Sequence, residues 1–327
     1  MIRSAWLKAF ILVATPWFAG SGLAQPTAHD YPNRPVRIIV PVVAGGPLDF
    51  IGRLIGQKLQ AAWGQNFILE NRSGAGGIIG TQFVARAPPD GYTMLHFSSA
   101  HALMPAFNKL PYDSIRDFSA ITPAARTIGY VLAVHPSLPV HSVADLVALA
   151  RKKPGQLNYG NSGHGAVLHV AMESFNAASK IRMTPVQYKG IGQLVTDLAG
   201  GHIELSFLTT SNAIGMAQQG KVRALGISGA QRWKQMPDMP TIAEAGIKGY
   251  EYYAWFAFWF PAATPVALVN RLQVEITKAV ALPEVIARFD ELGFEPYPLK
   301  SDAFTRLIQQ DINATTKLAG ALGFKPQ

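Results

Sequence analysis

The pattern of apolar and polar residues after residue 30 begins with a strand, a glycine turn and a helix. Residues 36–40 (VRIIV) are a mostly β-branched run, which is typical of a strand buried on both faces. The Gly-Gly-Pro sequence at residues 45–47 predicts a turn, and its proline suits the first position of a helix. Apolar residues then recur at helical spacing until Gly64, a residue type that commonly ends helices.

The same alternation continues along the chain. Further strands are predicted at residues 66–70, 92–97, 157–160, 184–188, 203–208 and 222–227. Further helices are predicted at residues 78–86, 143–152, 167–177, 190–198, 212–219, 265–281, 283–292 and 301–322. Strands that alternate with helices predict an α/β fold with mostly parallel sheets.

Two stretches indicate how the chain divides into domains. Residues 121–134 have the pattern of a segment that crosses into a second domain. The aromatic stretch 250–260 (YEYYAWFAFWF) predicts a returning strand, since it is too short to span a membrane. Core packing is the preferred interpretation of its rings, and an aromatic ligand cage is the alternative. Helices after residue 264 would then pack on the first sheet.

Composition and charge narrow the function classes. Hydrophobic residues make up 49% of the 327 residues and charged residues 15%, so the chain can bury a large core. The net charge is +9, but Lys and Arg are scattered and their longest run is residues 151–153. We therefore expect a solvated basic surface that mildly attracts small anions, and no nucleic acid partner. The absence of cysteine excludes disulfides, thiolate catalysis, cysteine-ligated zinc and a lipidated N-terminus.

The first 24 residues have the pattern of a secretory signal peptide. Arg3 and Lys8 supply positive charge, and residues 9–19 form an apolar segment that is too short and proline-broken to span a bilayer. Small residues at 22 and 24 predict cleavage after Ala24, which would lower the net charge from +9 to +7 by removing Arg3 and Lys8. A retained membrane anchor is the alternative. An exported, periplasmic protein is expected.

Glycine and serine residues follow several predicted strands and precede predicted helices. Such turns occur at residues 45–46, 74–77, 98–99, 162–165 and 190–192. The first N–H groups of a helix have no intrahelical partner and the helix dipole is positive there, so each turn is a candidate anion site. In open α/β sheets this edge is where ligands bind. The alternative is that these are ordinary connecting turns.

The chain resembles the Bug family, the extracytoplasmic receptors of the tripartite tricarboxylate transporters. The resemblance spans about residues 31–327 and rests on motifs in a fixed order: Tyr31-Pro32, Ala44-Gly45-Gly46 with Asp49 and Arg53, Asn71-Arg72, Gly74-Ala75-Gly76-Gly77, Asp90-Gly91-Tyr92-Thr93, Leu110-Pro111-Tyr112-Asp113, Gly163 with Gly165, His169 and Glu173, Tyr188-Lys189-Gly190, Asp197-Leu198, Gly200-Gly201 and Arg223-Ala224-Leu225.

The resemblance implies a two-lobed periplasmic binding protein of the type II-like, Venus-flytrap kind, which closes on a small carboxylate. Lobe 1 would comprise residues 25–127 plus 251–327, and lobe 2 residues 128–250. Partners would be a carboxylate ligand and the membrane subunits of a transporter; we expect a monomer without cofactor or catalytic residues. The expected ligand-binding residues are Ala44, Gly45, Gly46, Asp49, Ser98, Ser99, Ser162, Gly163, His164, Gly165, Gly190 and Ile191.

Some positions depart from the family pattern. Ala166 stands where a hydroxyl residue is usual, so one donor to the ligand is lost. Leu208 and Thr209 stand where members for amino acids carry Asp, which argues against an amino acid ligand. Pro47 replaces a common small residue and removes one N–H from the turn, and Gln193 replaces a usual proline.

Enzymatic interpretations fit the sequence less well. Ser162 lacks the second glycine of a nucleophile elbow, since His164 stands in that place, and the H-E-x-x-H zinc motif is absent. Ile79 stands where a dinucleotide-binding turn after Gly74 needs its third glycine. A ligand sensor that serves a signalling partner, and an enzyme acting on a small carboxylate, remain the alternatives to a transport receptor.

Overall fold

The repeated strand–turn–helix pattern folds into two mixed β-sheets, each flanked by helices. The structure is a computed structural model that describes residues 31–188, 190–324 and 326. The expected signal peptide, residues 1–24, lies outside the described residues. The sequence and structure agree on the α/β class, and most strands within each sheet point the same way.

The regular elements follow the predicted order closely. The strands are β1 (Val36–Val40), β2 (Phe67–Asn71), β3 (Thr93–Ser98), β4 (Phe118–Thr127), β5 (Val131–Val134), β6 (Asn158–Asn161), β7 (Thr184–Gln187), β8 (Leu205–Leu208), β9 (Arg223–Ile227), β10 (Trp255–Pro261) and β11 (Phe294–Pro296). The helices are α1 (Pro47–Trp63), α2 (Ile78–Ala85), α3 (Ala100–Leu103), α4 (Val143–Lys152), α5 (Val167–Ser179), α6 (Ile191–Ala199), α7 (Thr210–Gln218), α8 (Val266–Val280), α9 (Pro283–Leu292) and α10 (Ser301–Ala321).

The first sheet contains six strands in the order β11-β4-β10-β3-β1-β2. Strands β1, β2 and β3 are parallel, whereas β10 runs antiparallel to both of its neighbours, β3 and β4. The aromatic stretch supplies β10, and Trp255, Phe258, Trp259 and Phe260 are buried in the core. The preferred interpretation of these rings as core packing is confirmed, although the strand begins at Trp255 and not at residue 250.

The second sheet contains five strands in the order β7-β6-β8-β5-β9. Strand β6 is parallel to β7 and β8, and β5 is antiparallel to β8 and β9. Its core is separate from that of the first sheet and includes Tyr159, Phe175 and Phe207. Each sheet therefore has its own hydrophobic core.

Two connections join the sheets, and parts of them lie side by side. The chain leaves the first sheet after Thr127 and enters the second at Val131, within the predicted crossing 121–134. It returns before Trp255, where the Thr127 N–H donates to the Ala254 carbonyl at 2.8 Å and the Ala254 N–H to the Thr127 Oγ1 at 3.1 Å. The Ser228 Oγ bonds both connections, accepting from the Tyr130 N–H at 2.8 Å and donating to the Tyr252 carbonyl at 2.6 Å.

Helix α10 reaches from the first sheet towards the second. It packs on β4 and on α3, and its C-terminal part also contacts α5. A small apolar cluster forms there from residues of three distant segments: Leu103, Ala106, Phe107, Val170 and Ala319. Phe107 of this cluster lies against Gly165, in the turn between β6 and α5.

Candidate functional site

A cavity of about 520 Å³ lies between the two sheets. Its walls come from turns that follow the carboxyl ends of strands in both sheets: Gly46 after β1, Ser98 at the end of β3, the 162–165 turn after β6, and Thr209 after β8. Parallel strands place these turns at one edge, which is where ligands bind in α/β sheets. We call this space the inter-sheet cavity.

The first residues of three helices line the inter-sheet cavity. Pro47 and Leu48 begin α1, Val167 and Leu168 begin α5, and Ile191 begins α6. None of these three helices has a side-chain N-cap hydrogen bond within the described part of the chain. Apart from Pro47, which has no N–H, the first residues of these helices therefore keep N–H groups for a ligand or water, and three positive dipole ends converge on one space.

The acidic residue in the first turn of α1, Asp49, is bound by an arginine of the same helix. The Asp49 carboxylate accepts hydrogen bonds from Arg53 Nε at 3.0 Å and Nη2 at 3.1 Å. The Arg53 hydrogen bond holds the pKa of Asp49 below its ordinary value, and the Gly45 N–H stabilises the same ionised carboxylate. Asp49 is thereby a structural part of the turn, and it does not line the cavity. Gly46 at the N-cap does line it, with extended backbone angles and open space beside its α-carbon.

The two predicted serines at the end of β3 face different spaces. Ser98 lines the inter-sheet cavity, and its Oγ accepts from the Ala100 N–H at 3.3 Å. The Ser99 N–H donates to the Trp255 carbonyl at 2.8 Å, and Ser99 lines a separate cavity of about 400 Å³ that also contains Asp311. Only Ser98 is therefore in position for the same ligand as Gly46.

The 162–165 turn is held by internal hydrogen bonds. The Gly163 N–H donates to Asn161 Oδ1 at 3.0 Å, and the Gly165 N–H donates to His169 Nδ1 at 3.1 Å. Both glycine N–H groups are thus bonded within the protein, so they do not contribute to the anion site predicted at this turn. Burial lowers the pKa of His169 to about 4, which keeps Nδ1 free to accept. The four residues of the turn, 162–165, all line the cavity.

The remaining predicted residues divide between this cavity and its surroundings. Ile191 lines the inter-sheet cavity, whereas Ala44 and Gly190 line neither this cavity nor its neighbour. Gly45 lines the neighbouring cavity of about 370 Å³, which shares Gly46, Tyr130 and Thr209 with the first. The structure thus brings together Gly46, Ser98, Ser162, Gly163, His164, Gly165 and Ile191.

Sequence analysis missed the aromatic part of the wall. Tyr130 and Phe256 line both cavities, since Tyr130 lies on the connection between β4 and β5 and Phe256 is the second residue of β10, just after the chain returns to the first sheet. Phe97 and Met104 add further apolar surface. No local motif distinguishes these residues from core residues, since their exposure to the cavity depends on where the chain crosses. The aromatic stretch therefore supplies one wall residue, Phe256, beside its core residues.

The electrostatics of the inter-sheet cavity rest on dipoles. Among the described residues that line it, none is Lys, Arg, Asp or Glu. The polar side chains of the lining are the neutral Ser98, Asn108, Ser162 and Thr209 and the titratable Tyr130 and His164. Within the described residues, no group of three or more His, Asp or Glu side chains is arranged to hold a metal ion. The arrangement can stabilise an anionic group at helix N-termini while apolar walls cover the rest of a small molecule.

Two sheets with separate cores, two connections and a cavity between the sheets define a binding protein with a ligand cleft. The family model for the tripartite tricarboxylate transporter family receptor matches residues 51–324. The chain belongs to this family, and it is a solute-binding receptor. Over the residues that the structure describes, none of the helices has the length and apolar character to cross a membrane.

Known proteins with similar sequences or structures agree with this assignment. The chain is 35% identical to the UPF0065 protein in the tcbD-tcbE intergenic region of Pseudomonas sp. (strain P51), over 92% of each chain. It is similar to R. palustris Rpa4515 with adipate, with a TM-score of 0.81 and 33% identity over 91% of this chain and 100% of that one. It is also similar to the periplasmic binding protein BugD, with a TM-score of 0.78 and 29% identity over the same shares.

Proposed function

We propose that this receptor captures a small carboxylate in the inter-sheet cavity and delivers it to the membrane subunits of a tripartite tricarboxylate-type transporter. The observation that carries the proposal is the convergence of the α1, α5 and α6 N-termini on a cavity whose described lining has no Lys, Arg, Asp or Glu. The similarity to Rpa4515, which was solved with adipate, supports a carboxylate as the ligand.

Helix N-termini suit a carboxylate for a physical reason. Free N–H groups and helix dipoles stabilise negative charge without a buried counter-ion. A lining without Lys or Arg has no cationic side chain to remove from water when the cleft closes on the ligand, so closure avoids that desolvation cost. Apolar residues such as Leu48, Phe97 and Phe256 would cover the carbon skeleton of the ligand.

Ligand capture would close two lobes around the cavity. The predicted lobes, 25–127 plus 251–327 and 128–250, meet at the two connections beside Thr127 and Ala254. Rotation about a few connecting residues is a common way to close a binding cleft. We propose that the receptor works in the periplasm as a monomer, that it is exported by its signal peptide, and that it performs no catalysis.

Gly46 offers a sharp test of the site. Asp and Asn are both good N-cap residues, and nothing lies within 4 Å of a β-carbon built on Gly46. Gly46→Asp and Gly46→Asn therefore preserve the fold and differ by one negative charge. We expect Gly46→Asp to weaken carboxylate binding at least about tenfold, since like charges a few ångströms apart repel by more than about 1.4 kcal/mol at the surface dielectric. Gly46→Asn should bind much more tightly than Gly46→Asp.

The measurement is calorimetric titration with adipate, malate and citrate, with phosphate as a non-carboxylate contrast. Thermal unfolding of both variants serves as the folding control. Equal carboxylate affinities for the Asp and Asn variants would contradict the proposed site. A wild-type protein that binds none of the carboxylates after unfolding and refolding, which removes any ligand carried through purification, would contradict the proposed ligand class.

A further inference from the structure

Four aromatic rings from distant parts of the chain meet beside the 162–165 turn. Phe107 follows β3 and α3, His164 and His169 belong to the segment around the 162–165 turn, and Phe324 follows α10. The His164 ring centroid lies 4.9 Å from that of Phe324 and 5.2 Å from that of Phe107, and the Phe107 and Phe324 centroids are 5.8 Å apart. We call Phe107, His164, His169 and Phe324 the ring cluster.

The end of α10 fixes the direction of Phe324. The Phe324 N–H donates to the Ala319 carbonyl at 2.9 Å, and the Gly323 N–H donates to the Gly320 carbonyl at 3.1 Å. Gly323 has φ +75°, a left-handed conformation that glycine adopts without strain. This pair of bonds is the Schellman arrangement, in which the residue after the glycine packs back on the helix. The position of Phe324 is thus set by the two backbone hydrogen bonds that end α10.

The Phe107 ring packs directly against the 162–165 turn. Gly165 has φ +70°, and a β-carbon built there would lie 2.8 Å from the Phe107 ring. Phe107 is 2% exposed, so its ring is enclosed by the turn and by the end of α10. Two residues that pack with the first sheet's elements therefore support a turn that follows β6 of the second sheet. These contacts therefore join elements that pack with different sheets.

We propose that Phe107 and Phe324 are positioning residues for the carboxylate site. Their rings hold His164 and the 162–165 turn against the cavity, and they stabilise the arrangement in which the cleft is closed. The role rests on the proposed function for its effect on ligand affinity, but the effect on closure is independent of the ligand. A receptor that spends less time in the binding-competent arrangement binds more weakly in the same proportion.

Phe324→Ala tests the proposal, and Leu322→Ala is its matched control. Leu322 lies two residues away at the end of α10, is exposed and is not part of the ring cluster. Two measurements are made on the full protein: the radius of gyration of the ligand-free form by small-angle X-ray scattering, and the dissociation constant for adipate. We expect Phe324→Ala to increase the radius of gyration and weaken adipate binding about tenfold, with Leu322→Ala unchanged in both. Phe324→Tyr, which keeps the ring, should restore the wild-type values.

The outcomes separate this proposal from the proposed function. If the wild type does not bind adipate, the proposed function fails for that ligand, and the scattering comparison alone decides the role of Phe324. Scattering and affinity that both match those of Leu322→Ala would overturn the proposal. A weaker affinity in Phe324→Ala that Phe324→Tyr does not restore would also overturn it, because the ring would then not be the cause.

Discussion

At the scale of single residues, Gly293 shows how closely the parts of the molecule approach beside the cavity. Gly293 ends α9 with φ +75°, and a β-carbon built there would lie 2.0 Å from Thr210 Oγ1 at the start of α7. The same threonine hydroxyl donates to the Leu292 carbonyl at 3.2 Å. Helices that flank different sheets therefore touch through a position where only glycine fits.

Gly293→Ala is predicted to destabilise the protein more than Gly64→Ala. Gly64 has a similar φ of +68°, but nothing lies within 4 Å of a β-carbon built on it, so it reports backbone strain alone. That strain costs about 1–2 kcal/mol, and overpacking against Thr210 should add about 1–3 kcal/mol at Gly293. Urea unfolding measures both. Equal losses in the two variants would contradict the close contact, and Gly293→Ala combined with Thr210→Ala should recover part of the excess.

Residue roles in the site could be predicted only where backbone geometry determines them. Gly46 is predicted from its place between a buried strand and an amphipathic helix, and it lines the cavity. Asp49 and Ser99 have equally suitable types and positions in the sequence. Their side chains are directed elsewhere because Arg53 binds Asp49 and because β3 pairs with β10, which returns from residues far along the chain. The β3–β10 pairing is long-range and leaves no local signal, whereas the Asp49–Arg53 pair has the local i,i+4 spacing of a helix.

At the scale of elements, the 162–165 turn should depend on the histidine of the helix that follows it. His169 Nδ1 accepts the Gly165 N–H, and this bond is buried. His169→Leu keeps an apolar side chain but removes the acceptor, so a buried N–H would lose its partner at a cost of about 1–3 kcal/mol. His169→Asn can place an amide oxygen near the position of Nδ1. We expect faster amide hydrogen exchange at Gly165 in the Leu variant than in the Asn variant.

Folding controls for these two variants come from their unfolding curves, since both lose ring contacts in the cluster. The exchange rate at Gly165 is compared with that at Gly163, whose N–H binds Asn161 and not His169. Similar protection of Gly165 in the Leu and Asn variants would contradict the role of the histidine nitrogen. The comparison isolates one hydrogen bond from the general effect of a smaller side chain.

Most elements could be predicted because their signals are local. The start of α1 at Pro47 and its end before Gly64 agree with the sequence pattern, and Gly64 adopts the left-handed conformation expected of a helix stop. The sequence pattern does not predict strands β4, β5 and β11 or the four-residue α3, since residues 121–134, which hold most of β4 and all of β5, are predicted only as a crossing segment. Strand β11 and α3 are short, and β11 exists because it pairs with β4 across a long separation in sequence. A periodic sequence pattern therefore predicts long elements with local signals, and it does not predict short elements or elements that depend on long-range pairing.

At the scale of the whole molecule, the sequence indicates two domains but cannot show what lies between them. The crossing 121–134 is predicted from its position and composition, yet the inter-sheet cavity depends on how β4 and β10 pair. Their pairing places Ala254 beside Thr127 and directs Tyr130 and Phe256 to the cavity. A second property also emerges only from the assembled fold, and it concerns three buried histidines: His96, His101 and His169.

Burial lowers the pKa of each of these histidines from 6.5 to about 4. His96 stacks on Phe258 with 4.3 Å between ring centroids, and its Nδ1 lies 2.9 Å from the Ala257 carbonyl oxygen. His101 Nε2 lies 2.8 Å from the Ser114 carbonyl oxygen. In these two cases the neutral ring donates one N–H and satisfies a carbonyl, whereas a second proton would have to enter an apolar environment.

The free energy of unfolding is therefore predicted to fall steeply as the pH falls from about 6.5 to 4. In this window the unfolded chain binds protons on these histidines and the folded chain does not, so the three together contribute a slope that approaches three protons, or about 4 kcal/mol per pH unit, while the pKa of Asp311, which burial raises, contributes in the opposite direction. Urea unfolding between about pH 5 and 6.5 measures it in a range where carboxylates in the unfolded chain are mostly ionised. His101→Gln keeps a donor for the Ser114 carbonyl but does not titrate, so it should lower the slope by about one proton. A wild-type slope of one proton or less would mean that these rings take up protons while the protein stays folded.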